Sequence, residues 1–501
     1  MGLGERLIEA LGSPSFPGGR GPERGSGGIY GLLVHNGVMY FTLAYEAKAY
    51  FVDVDGVRRI YGYELVGAPG PRSGGDSHNT STAVDDWIYF GGWVHAPPLY
   101  RRQGGRRVID FKRKFSHIHA YSIAENRVYL LWQEGLNDPS HWAGEVSELV
   151  YDPLADRLLV ARGDGHDRLG VYEAPARPSL GRPTRPLVPI RTLKGARFLD
   201  EACFTIHRGW SNTGGLVCIE LGGNKYRIVE APADYSQISA DGSGVEYARS
   251  GWVSSLGVSL VSAVRGGLLS LHGDELWFHR LLDFSPSPYG PLKVNAAPVL
   301  GGILTAWNAY SCSTLAGTRE MSGELQAASR TPPGPTVLVH IAPPIARIVA
   351  VAGVRVTSLA PAGGEVIVAS NTWPGLERYD ATRIDPGTKT LTVIPETLVA
   401  SPRPPPLRFN IPGDWVAGRT WGGIPLYGYR EARLILRGCS GGVLNVYTYD
   451  LATPPGGAEK DRYIISPWEK ASIDLAPHGW GIVSFKAEAC KPERVEVILI
   501  P

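Results

Sequence analysis

One local phrase, written seven times, constrains this chain more than any other feature. A turn of Asn, Asp or Gly leads into a short apolar strand that stops at an aromatic or polar cluster. It reads cleanly at Asn36-Gly-Val-Met-Tyr-Phe, Asp86-Trp-Ile-Tyr-Phe-Gly-Gly and Asp156-Arg-Leu-Leu-Val-Ala. It recurs at Asp200-Glu-Ala-Cys-Phe-Thr-Ile, Gly257-Val-Ser-Leu-Val, Gly301-Gly-Ile-Leu-Thr-Ala and Gly364-Glu-Val-Ile-Val-Ala, with successive starts 44 to 70 residues apart. Strand-built repeats of this length predict an all-β fold, a seven-bladed β-propeller over residues 29–400. Gly 63, Pro 40, Tyr 23 and Trp 13 suit many short strands joined by tight turns.

After the repeats the texture changes. Ser401-Pro-Arg-Pro-Pro-Pro406 is a stiff linker, because consecutive prolines favour polyproline II. Beyond it, Arg433-Leu-Ile-Leu, Val443-Leu-Asn-Val-Tyr-Thr-Tyr, Arg462-Tyr-Ile-Ile, Gly481-Ile-Val-Ser-Phe-Lys and Val495-Glu-Val-Ile-Leu read as antiparallel strands. They predict a small C-terminal β-sandwich over 407–501; an eighth blade is the competing reading. Residues 1–28 are expected to be a flexible segment with at most a short amphipathic helical turn, followed by a disordered Gly/Pro stretch.

The hydrophobic fraction of 43% supports a substantial core, and a net charge of +2 selects neither nucleic acid nor membrane. Charge interrupts the apolar residues of the opening, Met1-Gly-Leu-Gly-Glu-Arg-Leu-Ile, which therefore lacks a signal-peptide core. The longest uncharged run, Val294 to Thr318, holds Asn295, Pro298 and Gly301-Gly302 and reads as buried strands. A soluble, cytoplasmic protein is expected. The five cysteines have no CxxC spacing; Cys203–Cys218 and Cys439–Cys490 allow bridges between neighbouring strands, and buried thiols are the other reading. Only three methionines and scarce glutamine point to a thermophile.

In a propeller, the loop entering the innermost strand and the loop joining strands two and three lie on one face, where ligands bind. Aligning the blades by their second strands puts Trp93 and His95, Asp164 and His166, His207, Trp210 and Asn212, Trp307 and Asn308, and Asn371 and Trp373 on that rim. The innermost strands enter it at Asp76-Ser-His78-Asn79 and His141-Trp142-Ala-Gly-Glu145. Indole rings beside amides and carboxylates suit a sugar-like ligand. In the structural reading of the same residues, Trp wedges blades apart and Asn and Asp cap turns.

Six of the twelve histidines fall between residues 78 and 166. Ser116-His-Ile-His119 puts His117 and His119 on one strand face, because side chains alternate with period two. With Asp164 or Glu145 from a neighbouring blade they offer ligands for Zn²⁺, Mn²⁺ or Fe²⁺, which would activate water. Hydrogen-bonded structural histidines are the alternative. Glu145 and Asp164 form the better acid–base pair, since Glu145 and Glu148, three apart, point to opposite strand faces.

The segment 101–114 carries Arg101, Arg102, Arg106, Arg107, Lys112, Arg113 and Lys114 against one acid, Asp110, a local charge of +6. It could attract a polyanion, RNA or an acidic glycan; a solvated hairpin tip is the plainer reading.

His141-Trp-Ala-Gly-Glu-Val-Ser-Glu-Leu-Val-Tyr-Asp-Pro, with Asp156 to Glu173, resembles an uncharacterised archaeal family with a propeller-like fold. Ser77-His-Asn-Thr-Ser-Thr82 and Ser116-His-Ile-His-Ala-Tyr121 fit the same resemblance, which covers roughly 75–175. It implies an archaeal origin and the fold, and it brings no activity from which a catalytic residue could be assigned. The expectation is a module binding a polar small molecule, glycan or protein partner through the His/Trp-rich face of blades two and three. The alternatives are a metal-assisted hydrolase or lyase acting on a carbohydrate or lactone at that face, and a protein-interaction scaffold.

Overall fold

All seven repeated phrases begin in the same place: the turn between the first and second strands of a four-stranded antiparallel sheet. The right-handed strand twist favours a tight turn with left-handed residues there. Asn36, Asp85 and Asp156 adopt it at φ 46°, 51° and 45°, and Leu199 and Leu300 adopt it too, at 54° and 51°. The hairpin thus imposes its geometry even on leucine, just ahead of Asp200 and Gly301, which is why the phrase is blurred at those positions.

The computed structural model describes residues 1–17, 28–43, 48–63, 73–76, 80–95, 101–103, 106–108, 114–138, 140–178, 184–208, 212–232, 251–285, 289–291, 294–308, 336–372, 388–401, 403–468 and 470–501. Sheet 1 is Ile29–His35, Val38–Leu43, Lys48–Asp53 and Gly56–Gly62. Sheet 2 is Ser81–Val84, Trp87–His95, Lys114–Ser122 and Arg127–Gly135, with Ser73–Asp76 also paired to its second strand. Sheet 3 is Val146–Asp152, Arg157–Arg162, Gly170–Pro175 and Arg185–Val188; sheet 4 is Thr192–Phe198, Glu201–Arg208, Asn212–Glu220 and Tyr226–Glu230. Sheet 5 is Trp252–Leu256, Ser259–Val264, Gly267–His272 and Glu275–Arg280; sheet 6 is Ala297–Val299, Gly302–Asn308, Thr336–Ala342 and Ile345–Ala352.

Sheet 7 breaks chain order. Its first three strands are Arg355–Pro361, Glu365–Asn371 and Thr388–Pro395, and its fourth is Ser15–Pro17 from the other end of the sequence. Ser15 pairs with Thr390 and Pro17 with Thr388. Helix α1, Leu3–Leu11, precedes that strand and buries Leu7 among Met39, Leu43, Val52, Ile367 and Ala369 of sheets 1 and 7. The expectation of a flexible 1–28 segment is therefore corrected for residues 1–17; residues 18–27 lie outside the described set. A three-residue strand has no periodicity to read, so only its tertiary partner makes it visible.

The first strands of sheets 1 to 5 pack side by side in order, as do those of sheets 6 and 7, and the first strand of sheet 1 also packs on that of sheet 7; sheets 5 and 6 meet where Trp252 Nε1–H donates to Thr305 Oγ1 at 2.7 Å. Leu32 N–H donates to Ser358 Oγ at 3.2 Å, and Thr357 Oγ1 donates to Ile29 O at 2.9 Å. This is an all-β, propeller-like arrangement. Sheets stacked this way bury both faces, so strands such as Val38–Leu43 and Arg157–Arg162 are buried at every position.

After the short helix Glu396–Ala400, the chain forms two more sheets. One orders Leu407–Pro412, Arg494–Ile500, Glu431–Arg437 and Ala471–Asp474; the other orders Trp421–Pro425, Ile482–Glu488, Gly442–Tyr449 and Glu459–Ile465. They share one hydrophobic core with sheets 5 and 6: Phe284 stacks on Trp421 at 4.9 Å and meets Phe409 at 5.7 Å. Backbone bonds add to this seam, Leu282 N–H to Gly423 O at 2.9 Å and Asp283 N–H to Gly422 O at 2.8 Å. Cys203–Cys218 bridges directly paired residues of sheet 4, and Cys439–Cys490 forms a second bridge.

Leu7→Ala is expected to destabilise the protein by about 2–5 kcal/mol, measured by denaturant unfolding. An unchanged midpoint would contradict the packing of α1 into the body.

Candidate functional site at the sheet 2 and sheet 3 end

The two ends of the strands are unequal. At one, first and second strands join by tight turns; at the other, second and third strands are separated by residues 96–113 in sheet 2, 309–335 in sheet 6 and 372–387 in sheet 7. Long connections gathered at one end of a rigid scaffold mark the functional face.

Sheets 2 and 3 build a cluster at that end. Trp93, near the end of strand Trp87–His95, and Lys114, at the start of the next strand, both face sheet 3. The Lys114 ammonium lies 3.4 Å from the Trp93 ring centroid and 4.1 Å from that of Trp142. A cation between two indole faces gains about 0.5–2 kcal/mol per ring, most where water is excluded, and Lys114 is only 8% exposed. Trp142 is fixed in turn: its indole N–H donates to Asp164 O at 2.8 Å, and its backbone N–H reaches His166 Nδ1 at 3.3 Å. His141 meets the His166 ring edge-on at 4.8 Å and pairs with Asp138 at 3.3 Å. Burial, then His141 and Lys114, pushes the His166 imidazole below its ordinary pKa.

The backbone explains the glycines here. Glu145 N–H donates to Asp164 O at 3.0 Å, and a Cβ on Gly165 would lie 2.6 Å from Gly144 Cα. Only glycine lets these two segments touch. Ser116 Oγ donates to Gly144 O at 2.8 Å, which ties sheet 2 to sheet 3. Arg162, 1% exposed, donates to Gly144 O at 3.1 Å and to Glu134 Oε2 at 2.5 Å, with Trp132 and Tyr172 rings each 4.7 Å from its guanidinium.

The structure thus brings Trp93, Lys114, His141, Trp142, Glu145, Asp164 and His166 together. Asn308 and Asn371 do other work: Asn308 bonds Val356 and Thr336, joining sheets 6 and 7, and Asn371 accepts from Arg355 Nε at 3.0 Å. His78, Asn79, Trp210, Trp373, Lys112 and Arg113 lie outside the described residues. His95 and Asn212 are described in backbone only, at strand ends. Arg101–Gln103 and Arg106–Val108 pair as a hairpin, with Arg102 opposite Arg107.

His117 and His119 share a strand face as expected, but the expected metal set of both histidines with Asp164 or Glu145 is corrected. Their strand presents Ser116 and Ile118 to sheet 3, and both histidines face sheet 1 instead. His119 and His117 bond through their Nδ1 atoms at 2.9 Å, and Tyr61 Oη lies 3.0 Å from His119 Nε2. Tyr63 and Phe90 complete the wall, Phe90 stacked on His119 at 5.2 Å. Among the described residues, the single His/Cys/Asp/Glu group close enough to hold a metal is Glu201, Cys203 and Cys218, and both cysteines are in a disulfide.

Sequence reasoning missed the central cavity of about 400 Å³ lined by the first strands of sheets 1 to 5 and by Asn295 and Ala296 ahead of sheet 6. Lys194 Nζ donates there to Glu148 Oε2 and to Ser147 O, each at 3.1 Å. Burial raises the Glu148 pKa and Lys194 opposes that rise. The signal available was a lysine inside an otherwise uncharged run, Thr192-Leu-Lys194-Gly-Ala.

An all-β protein of propeller-like build with a Trp/Lys/His cluster at its long-loop end is the class these observations define. The family described as "Uncharacterized protein conserved in archaea (DUF2139)" matches residues 39–379, more than half of the chain, and the protein belongs to it. Among curated proteins none matches. Among solved structures, the chain is similar to the β-propeller domain of the Trilobed protease from Pyrococcus furiosus at 10% identity, covering 74% of this chain and 93% of that one, with a TM-score of 0.37. It is similar to Saccharomyces cerevisiae Sqt1 at 8% identity, covering 76% and 98%, TM-score 0.41. A third is the extracellular domain of a putative hybrid two-component system from B. thetaiotaomicron, at 9% identity and TM-score 0.40; the match covers 75% of this chain but only 39% of that one. Among the described residues no helix is long and apolar enough to cross a membrane.

Burial pushes the His117 pKa down to about 3, and burial together with His117 holds His119 well below the ordinary value. Both are neutral when folded but protonate near pH 6.5 when unfolded, so their stabilisation is complete above that pH and is lost as pH falls toward 3. The expected slope is about 1.4 kcal/mol per pH unit per histidine. Denaturant unfolding between pH 7 and 4.5 should show a shallower decline in a His117→Gln/His119→Gln variant; parallel declines would contradict the neutral buried pair.

Proposed function

We propose that the seven sheets are the blades of a seven-bladed propeller spanning 29–400, that 407–501 is a β-sandwich seated on it beyond the 401–406 linker, and that the protein is a binding module. Its ligand is a polar small molecule or glycan held at the sheet 2 and sheet 3 end. The observation that supports this reading is Lys114 fixed between Trp93 and Trp142 with His141 and His166 alongside. An ammonium and two imidazoles, prepositioned by packing, lose little entropy when they donate to hydroxyl, carbonyl or carboxylate oxygens. The basic hairpin of Arg101, Arg102, Arg106 and Arg107 precedes Lys114 in sequence and favours a ligand with acidic groups.

The enzyme reading has less behind it. Glu145 and Asp164 are joined through backbone atoms, and the histidine pair faces away from both. The scaffold reading is supported by no single surface.

Isothermal titration with uronic-acid oligosaccharides tests the proposal. Trp142→Ala should weaken binding by about tenfold or more, as loss of a 1.4 kcal/mol contact implies, with the melting temperature close to that of the parent. Equal affinity in the variant and the parent would refute a site at this end.

A further inference from the structure

Among the described residues, the two exposed tryptophans, Trp468 at 73% and Trp480 at 78%, both lie in turns between the C-terminal strands. Every other described tryptophan is buried or half-buried. Trp480 is not a loose surface side chain. Its turn is pinned on both sides, Gly481 N–H to His478 O at 2.9 Å and Leu426 N–H to Gly481 O at 3.0 Å. Tyr427, next to Leu426, meets the Trp480 ring at 5.4 Å and 67°. With Tyr427 as a brace on the protein side, the indole presents the rest of its surface to water.

Polar groups stand beside the platform. His478 Nε2 lies 3.3 Å from Asp461 Oδ2, and its Nδ1 lies 3.0 Å from Thr448 Oγ1, so the imidazole is oriented. Asp461 is half exposed and offers a carboxylate acceptor.

We infer that Tyr427 and Trp480 form a second binding site, on the C-terminal module, for one pyranose ring of a neutral saccharide. A sugar has an apolar C–H face and hydroxyls around its rim, and the site pairs one flat apolar surface with charged and imidazole groups at its edge. Size favours a sugar over a protein or a membrane. The other strongly exposed apolar side chains of this module, Ile464 at 85% and Trp468, lie at and beyond the far end of strand Glu459–Ile465, after the exposed charges Glu459, Lys460, Asp461 and Arg462, so charge interrupts the apolar surface along that strand.

Titration of the full chain with cellotetraose, xylotetraose, mannotetraose and chitotetraose, followed by tryptophan fluorescence and calorimetry, tests this. At least one should bind, and Trp480→Ala should weaken it about tenfold or more while Trp142→Ala leaves it unchanged. Tyr427→Phe should keep binding, because the ring and not the hydroxyl braces the indole. Binding lost in Trp142→Ala but kept in Trp480→Ala would overturn this inference and leave the sheet 2 and sheet 3 site standing. No binding of any of the four, or concentration-dependent self-association abolished by Trp480→Ala, would also overturn it.

Discussion

Closure is the constraint on which the rest depends. A four-stranded sheet that is apolar on both faces cannot stand alone, and a row of such sheets leaves two raw faces at its ends. Here the row closes where Ile29–His35 meets Arg355–Pro361, and Arg355 reaches across the seam to the Tyr30 hydroxyl at 2.9 Å. The strand Ser15–Pro17 then completes sheet 7, so the two ends of a long stretch of chain are fastened within one sheet. Non-local pairing of this kind costs loop entropy, and the buried residues around α1, including Leu7, Met39, Ile367 and Ala369, help offset it.

Closure also makes the site. Trp93 and Trp142 are far apart in sequence, and they flank Lys114 because sheets 2 and 3 pack face to face. The same packing makes the Ser116 bond that crosses between the sheets, and it lands on Gly144, whose close contact with Gly165 joins the two segments at the end of sheet 3. Preorganisation here comes from the scaffold: Trp142, His166, Ser116 and Arg162 are held by backbone partners, Lys114 by two indole rings and His141 by Asp138, before any ligand arrives.

What the residues revealed, and what they hid, divides along physical lines. Hairpin turns are local, so seven starts were legible from Asn36 to Gly364, and alternation correctly set His117 and His119 on one face. Which neighbour that face meets is not local. Period two cannot say that the histidines look toward Tyr61 and Tyr63 of sheet 1 while Ser116 looks toward Gly144 of sheet 3. Lys114 was visible as one charge in a basic run, but its place between two indoles depends on inter-sheet packing. In the C-terminal module, Leu407–Pro412 was masked by adjoining prolines and Trp421–Pro425 by glycines, although the tertiary pairing makes both strands.

Joining the two sides of the seam covalently tests closure most directly. A Cβ on residue 28 would lie 3.0 Å from the Thr357 Cβ, inside the roughly 3.5–4.5 Å of disulfide-bonded residues, so a small outward shift of the two strands brings the pair to bridging distance. In a Gly28→Cys/Thr357→Cys variant, oxidation should yield an intramolecular 28–357 bridge, identified by peptide mass mapping of the non-reduced monomer. A variant whose two new thiols stay free, or that links only between molecules, would contradict the closed ring and with it the gathering of Trp93, Lys114 and Trp142 at one end.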